Sequence, residues 1–220
     1  ALLILIPLNT EALTGNVSVS CNNTKLTANA TTTCTIRGNI NEEVTTVHAK
    51  IELGSNLSLV GVTPDSSWEG DGEGGVLDLY TDVNKKGTFN IATFQVKAGN
   101  VTTGANTNIT LSEVTLSDAE FNETTFTVTP VSIRIPSSIN TLSALSVSGA
   151  SLDFSSSKTT YDLTIDDTTT NISANKTDSN STITGTGNKT LNYGKNTFVV
   201  TVTAENGSKK NYTINITRPD

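Results

Sequence analysis

Methionine is absent from the 220 residues, and histidine and tryptophan occur once each, as His48 and Trp68. One histidine and a single cysteine pair leave too few ligands for an ordinary structural zinc site. One histidine also leaves a single candidate base for a Ser-His-Asp arrangement, and catalysis is not expected. Aromatic residues make up 5% and charged residues 16%. The low charge excludes the composition of a disordered tail. Basic residues are outnumbered, 14 against 21, for a net charge of −7. That lacks the positive footprint nucleic acid requires, and it names no partner. Long apolar runs are missing too. Ala1–Ile6 is too short to span a bilayer and reads as the end of a truncated signal peptide over residues 1–12, with cleavage after Ala12, the alternative being an apolar first strand. The chain reads as a fragment of a longer, multidomain protein.

What the chain has is alternation. Thr197–Arg218 (TFVVTVTAENGSKKNYTINITR) is two runs of period-two patterning around Asn206-Gly207. Such runs bury one face of a strand, and Asn-Gly suits a tight hairpin. Similar runs fall at 17–20, 33–40, 44–53, 57–62, 76–81, 89–97, 109–116 and 126–135, with a turn expected at Asn84–Gly87. Residues 66–75, around Trp68, read as a Gly- and acid-rich loop. The pattern restarts after Pro136. The fold class is therefore all-β, with two consecutive β-sandwich domains at 16–135 and 142–220 and a linker at 136–141.

Cys21 and Cys34 lie in two alternating segments with a turn-rich stretch between them. Antiparallel pairing would bring them within bridging distance, for a gain of about 2–3 kcal/mol. The alternative is two buried thiols. Asp65, Glu69, Asp71 and Glu73 offer oxygen ligands, but their spacing fits no EF-hand loop. A structural Ca²⁺ is not favoured, and neither a metal nor a cofactor is expected. Asp166, Asp167 and Asp178 get the same reading. Trp68 with Tyr80 is a candidate glycan platform, the alternative being that Trp68 packs beneath its loop. Asn-X-Ser/Thr triplets, among them Asn22, Asn108, Asn175 and Asn215, read as a product of composition.

Residues 142–218 resemble the cadherin-like β-sandwich domain of bacterial surface proteins. The pieces that carry this are LSALSVSG at 142–149, TYDLTI at 160–165, Leu191–Gly194, and the hairpin from Asn196 to Arg218. The resemblance implies an Ig-like spacer without catalytic residues. Residues 16–135 are similar in pattern to a cohesin-type jelly roll, a fold shared with some carbohydrate-binding modules. The matching order is AKIEL (49–53), NLSLVGV (56–62), GVLDLY (75–80), GTF (87–89), FQVKAG (94–99) and Ile109–Glu120. A Cys21/Cys34 pair is not a usual cohesin feature. Cohesin-like strand order would place His48, Lys50, Glu52, Asp78, Tyr80, Thr93 and Gln95 on one sheet face, where cohesins take a partner domain. The expected protein is thus a non-catalytic, extracellular or cell-surface module that binds a protein domain or a glycan. The rivals are a carbohydrate-binding module of a polysaccharide-degrading assembly and a purely structural stalk or adhesin segment.

Overall fold

Residues 12–220 are described by the computed structural model, which is all-β. The expected signal remnant lies outside the described residues apart from Ala12. Two compact units are present, one ending at Ile135, the other formed by Val101–Gly104 with Pro136–Asp220.

The first unit contains β1 (Gly15–Cys21), β2 (Thr31–Leu53), β3 (Leu57–Pro64), β4 (Glu69–Asp71), a 3-10 turn (Glu73–Gly75), β5 (Val76–Ala98), β6 (Ala105–Ser117), β7 (Glu123–Thr125) and β8 (Val131–Ile135). The strands β2 and β5 have 23 residues each. A straight strand of that length would reach ~75 Å, about twice the width of a globule this size. They bend together around the core instead. The N-terminal part of β2 pairs with β1 and the C-terminal part of β5, which in turn pairs with β3. The C-terminal part of β2 pairs with β6 and the N-terminal part of β5, which also carries β4. One antiparallel pair thus supplies the middle of both layers.

Its register shifts are where the layers meet. In β2 the even positions Cys34, Ile36 and Ile40 are buried, then the odd positions Val47, Ala49 and Ile51. Register slips occur between Ile40 and Thr46. In β5 the buried set passes from Leu77 and Leu79 to Ala92, Phe94 and Val96. The slip there is at Ile91, where Ile36 faces Ala92 and Arg37 faces Asn90. A bulged residue shifts side-chain parity by one and bends the strand, which keeps the apolar set inside.

The expected turn at Asn84–Gly87 is corrected by this pairing. Lys85 faces Val44 and Gly87 faces Ile40, so the chain continues as strand. Residues 126–130 lie outside any strand, and the single expected run at 126–135 becomes β8 alone, with β7 before it. The loop at 66–75 includes β4. Cys21 faces Cys34 across β1 and β2, and the two form a disulfide.

The second unit contains β9 (Leu142–Val147), β10 (Thr160–Thr164), β11 (Thr169–Lys176), β12 (Thr182–Thr184), β13 (Gly187–Thr190), β14 (Gly194–Thr203) and β15 (Lys209–Arg218). They form one sheet ordered β10–β15–β14–β12 and a second ordered β13–β11–β9. Leu142, Leu145, Ile172, Val200, Val202, Ile214 and Ile216 fill the space between them. The β14–β15 connection is a five-residue loop from Ala204 to Ser208, and positive φ falls on Gly207. Residues 136–141 are tied to this unit: Ser137 is buried, its amide donates to Glu205 Oε2 and its carbonyl accepts from Asn206 N.

Two buried tyrosines carry their hydroxyls into this core fully paired. Tyr161 Oη donates to Ser155 O at 2.9 Å. Tyr212 Oη donates to Ser156 O at 3.0 Å and accepts from Leu142 N at 3.2 Å. Tyr212→Phe leaves the buried Leu142 N–H without this acceptor, while Ser156 O keeps its bond from Lys210 Nζ at 2.8 Å. The substitution is expected to lower unfolding free energy by roughly 1–3 kcal/mol in urea titration. An unchanged midpoint would mean these bonds contribute nothing.

Candidate functional site

The outer surface of the layer β4–β5–β2–β6–β7 gathers most of the charged residues singled out above. His48 faces Asp78 on one side and Thr115 on the other. Its Nδ1 lies 2.6 Å from Asp78 Oδ1. Its Nε2 lies 3.7 Å from Glu113 Oε2, an ionic contact beyond hydrogen-bond range. Lys50 Nζ reaches Glu52 Oε1 at 2.8 Å, and that oxygen also accepts from Ser112 Oγ at 2.9 Å. Tyr80, 51% exposed, donates its hydroxyl to Glu69 Oε2 at 2.8 Å. A shallow hollow of about 290 Å³ is lined by Thr46, His48, Asp78, Tyr80, Thr115 and Glu123.

Two backbone features position these groups. On β6, Ser112 faces Lys50 and Thr115 faces His48, so Glu113 and Val114 together oppose Ala49. Glu113 takes φ 54 while Val114 is buried. A left-handed non-glycine costs about 1–2 kcal/mol, and here the bulge turns a carboxylate to His48. On β4, Gly70 has φ 111, and a Cβ there would sit 2.1 Å from Asp78 O. Only glycine allows β4 to approach β5 so closely, and that approach sets Glu69 beside Tyr80.

The electrostatics follow the contacts. The Asp78 hydrogen bond raises the His48 pKa, partial burial opposes it, and the charges of Asp78 and Glu113 add to the rise. The Lys50 hydrogen bond lowers Glu52, and the same bond raises Lys50. Glu69 keeps the Tyr80 hydroxyl protonated beyond its usual range. Both His48 nitrogens point at carboxylates rather than at a hydroxyl, so no nucleophile–base pair is formed here. Among the described residues, no group of three or more His, Cys, Asp or Glu is arranged to hold a metal ion. None of their helices is long and apolar enough to cross a membrane.

Two expected groupings are corrected. Thr93 and Gln95 face Thr35 and Thr33 on β2, and Thr63 and Gly61 on β3. They belong to the other layer, about thirteen residues or ~43 Å along β5 from Tyr80. The expected single face is therefore His48, Lys50, Glu52, Asp78 and Tyr80, with Glu69, Glu113 and Thr115 joining it from β4 and β6. The second correction is Trp68, which is only 6% exposed. Its Nε1 donates to Asn90 O at 2.9 Å and its ring packs against Phe89 at 5.9 Å. A ring so placed caps the core and offers no open plane with Tyr80 for a sugar to stack on.

His48 gives a pH prediction. Its folded pKa is raised, so the stability it contributes is complete below the unfolded value, about 6.5. It is lost as pH rises through the folded value. The side chain is 41% exposed, which limits the effect to under about 1 kcal/mol. The urea midpoint is expected to fall slightly with rising pH in this window, and His48→Gln to flatten the slope. Asp65 and Asp118 are lowered by hydrogen bonds from Ser67 and Asn122, so their contribution is lost only in acid. A slope unchanged by His48→Gln would contradict this assignment.

Residues 142–219 match the family described as the cadherin-like beta sandwich domain, as the sequence resemblance over 142–218 had it. Solved structures similar to this chain include a type I cohesin–dockerin complex from Clostridium thermocellum, at 13% identity and a TM-score of 0.46, covering 57% of this chain and 96% of that one. Another is a non-cellulosomal cohesin from the archaeon Archaeoglobus fulgidus, at 11% identity and a TM-score of 0.44, covering 56% and 92%. A third is the sixth cohesin of scaffoldin B from Acetivibrio cellulolyticus in complex with a dockerin, at 13% identity and a TM-score of 0.45, covering 56% and 99%. No curated protein matches the sequence. The chain is thus similar to cohesins towards its N-terminus and to cadherin-like domains from residue 142.

Proposed function

We propose that this is a non-catalytic, extracellular module of a bacterial multidomain surface protein, which docks a protein partner through its first unit and uses the second as a spacer. The observation that supports this most is the open face around His48. It is a broad sheet surface with its charged side chains already held in hydrogen bonds and one tyrosine exposed at its edge. Pre-ordered groups lose less entropy on binding, and an exposed tyrosine supplies an anchor of low flexibility. The face carries Glu52, Glu69, Asp78, Glu113 and Glu123 against Lys50 and His48. A partner with a basic surface complements it, and such an interface weakens with salt. The buried Trp68 takes support away from the sugar-binding reading. The disulfide suits an oxidising compartment outside the cytosol.

Dockerins, the partners named for two of the similar cohesins, are the first proteins to assay by calorimetry, alongside a glycan array. Tyr80→Ala is expected to weaken capture about 30-fold, the equivalent of ~2 kcal/mol at a hot spot. Thr93→Ala and Gln95→Ala are expected to change it less than two-fold. Binding lost through Thr93 or Gln95, or binding to glycans alone, would overturn the reading.

A further inference from the structure

The sequence holds 24 asparagines, and 14 of them open an Asn-X-Ser/Thr triplet. Ser and Thr together number 62 of 220 residues, so random placement gives about seven. Strand alternation raises that figure, because positions two apart share the wet face. The charged residues measure how much. They occupy the same outward positions, and 12 of 35 have Ser or Thr two places on. Asparagine exceeds that rate by more than half again. Composition and alternation do not account for the excess.

Placement separates the triplets further. None of the fourteen asparagines is buried, and eleven are exposed. The three half-buried ones are Asn122, Asn171 and Asn215. Each of these spends its Nδ2 on a neighbour, namely Asp118 Oδ2 at 2.8 Å, Asn188 Oδ1 at 2.6 Å and Asp162 Oδ1 at 2.8 Å. Among the exposed eleven only Asn180 does so, at 3.3 Å to Asp178. Asn29 and Asn56 sit at φ 64 and 66 in turns, where the side chain stands clear of a ladder. Asn108, exposed on β6, shares the outward parity of Thr110 and Ser112 and so borders the Lys50–Glu52 end of the His48 layer.

We propose that the exposed asparagines of these triplets are N-glycosylation acceptors, with glycans carried by both units. The donor is an oligosaccharide on a polyprenyl phosphate, transferred by a membrane-bound oligosaccharyltransferase of the producing cell. The amide Nδ2 attacks the anomeric carbon and a C–N bond forms. The C–O bond to the phosphate breaks, and the lipid phosphate leaves with the bonding pair and takes up the proton the amide gives up. A bulky hydrophilic glycan is tolerated at exposed asparagines. At Asn122, Asn171 and Asn215 it would break the hydrogen bonds named above. The acceptor assignment stands apart from the docking reading.

The test is glycopeptide sequencing, with electron-transfer fragmentation, of the protein purified from its own cells. Glycan masses are expected on Asn29, Asn56, Asn175 and Asn211 among others, with Asn122, Asn171 and Asn215 unmodified. Asn175→Gln and Asn211→Gln are each expected to remove one glycan mass and leave the melting temperature of the deglycosylated chain within a degree or two. Unmodified asparagine throughout would overturn the proposal. Occupancy of the three half-buried asparagines equal to the exposed ones would overturn it too. Partner capture by protein made without the transferase would stay intact if docking holds, so the two readings fail separately.

Discussion

The paired bend of β2 and β5 is the constraint on which the first unit depends. Two 23-residue strands share one ladder, and each gives its halves to different layers. The slips at Ile40–Thr46 and Ile91 let them do so while keeping both buried sets inside, with Val83 the aliphatic residue left outward. Everything placed on the His48 layer inherits its position from that geometry. His48 meets Asp78 because β2 and β5 run antiparallel there, and it meets Glu113 because β6 bulges opposite Ala49. Gly70 extends the same layer to Glu69. The face is therefore assembled from four strands distant in sequence, and its hydrogen bonds are a consequence of backbone register.

Alternation made most strands legible, because burial of one face leaves a period of two in the sequence. The runs at 44–53, 76–81 and 197–218 show it, and their inward residues are those the core uses. The bends were not legible. Asn84, Lys85, Lys86 and Gly87 are residues that turns favour, yet here Lys85 and Gly87 stay paired with β2. Local propensity was overridden by the long-range ladder, which no short window contains. That omission also placed Thr93 and Gln95 beside His48. Outward direction can be read from parity, but layer membership cannot, since the bulge at Ile91 lies between them. Glu113 was missed for a related reason: it falls in a bulge, where alternation fails. Trp68 was ambiguous as a lone aromatic in a loop, and only its bond to Asn90 O decides its place.

The second unit shows the simpler case. Its two sheets close over an aliphatic core, and the polar ends of Tyr161 and Tyr212 are met by main-chain groups. Few charges on it are organised into networks like that of His48, which fits a spacer role. Its asparagine triplets suit the same role, as hydrophilic surface that needs no partner. On the proposed reading, docking and spacing divide between the two units.

The paired bend is read out by interstrand nuclear Overhauser effects across the first unit. Cross-strand contacts of residue 35 with 93 and of residue 48 with 78 are expected, both between the same two strands. Contacts of residues 76–81 with 89–97 around a hairpin at 84–87 would contradict the paired bend, and would dissolve the face as drawn.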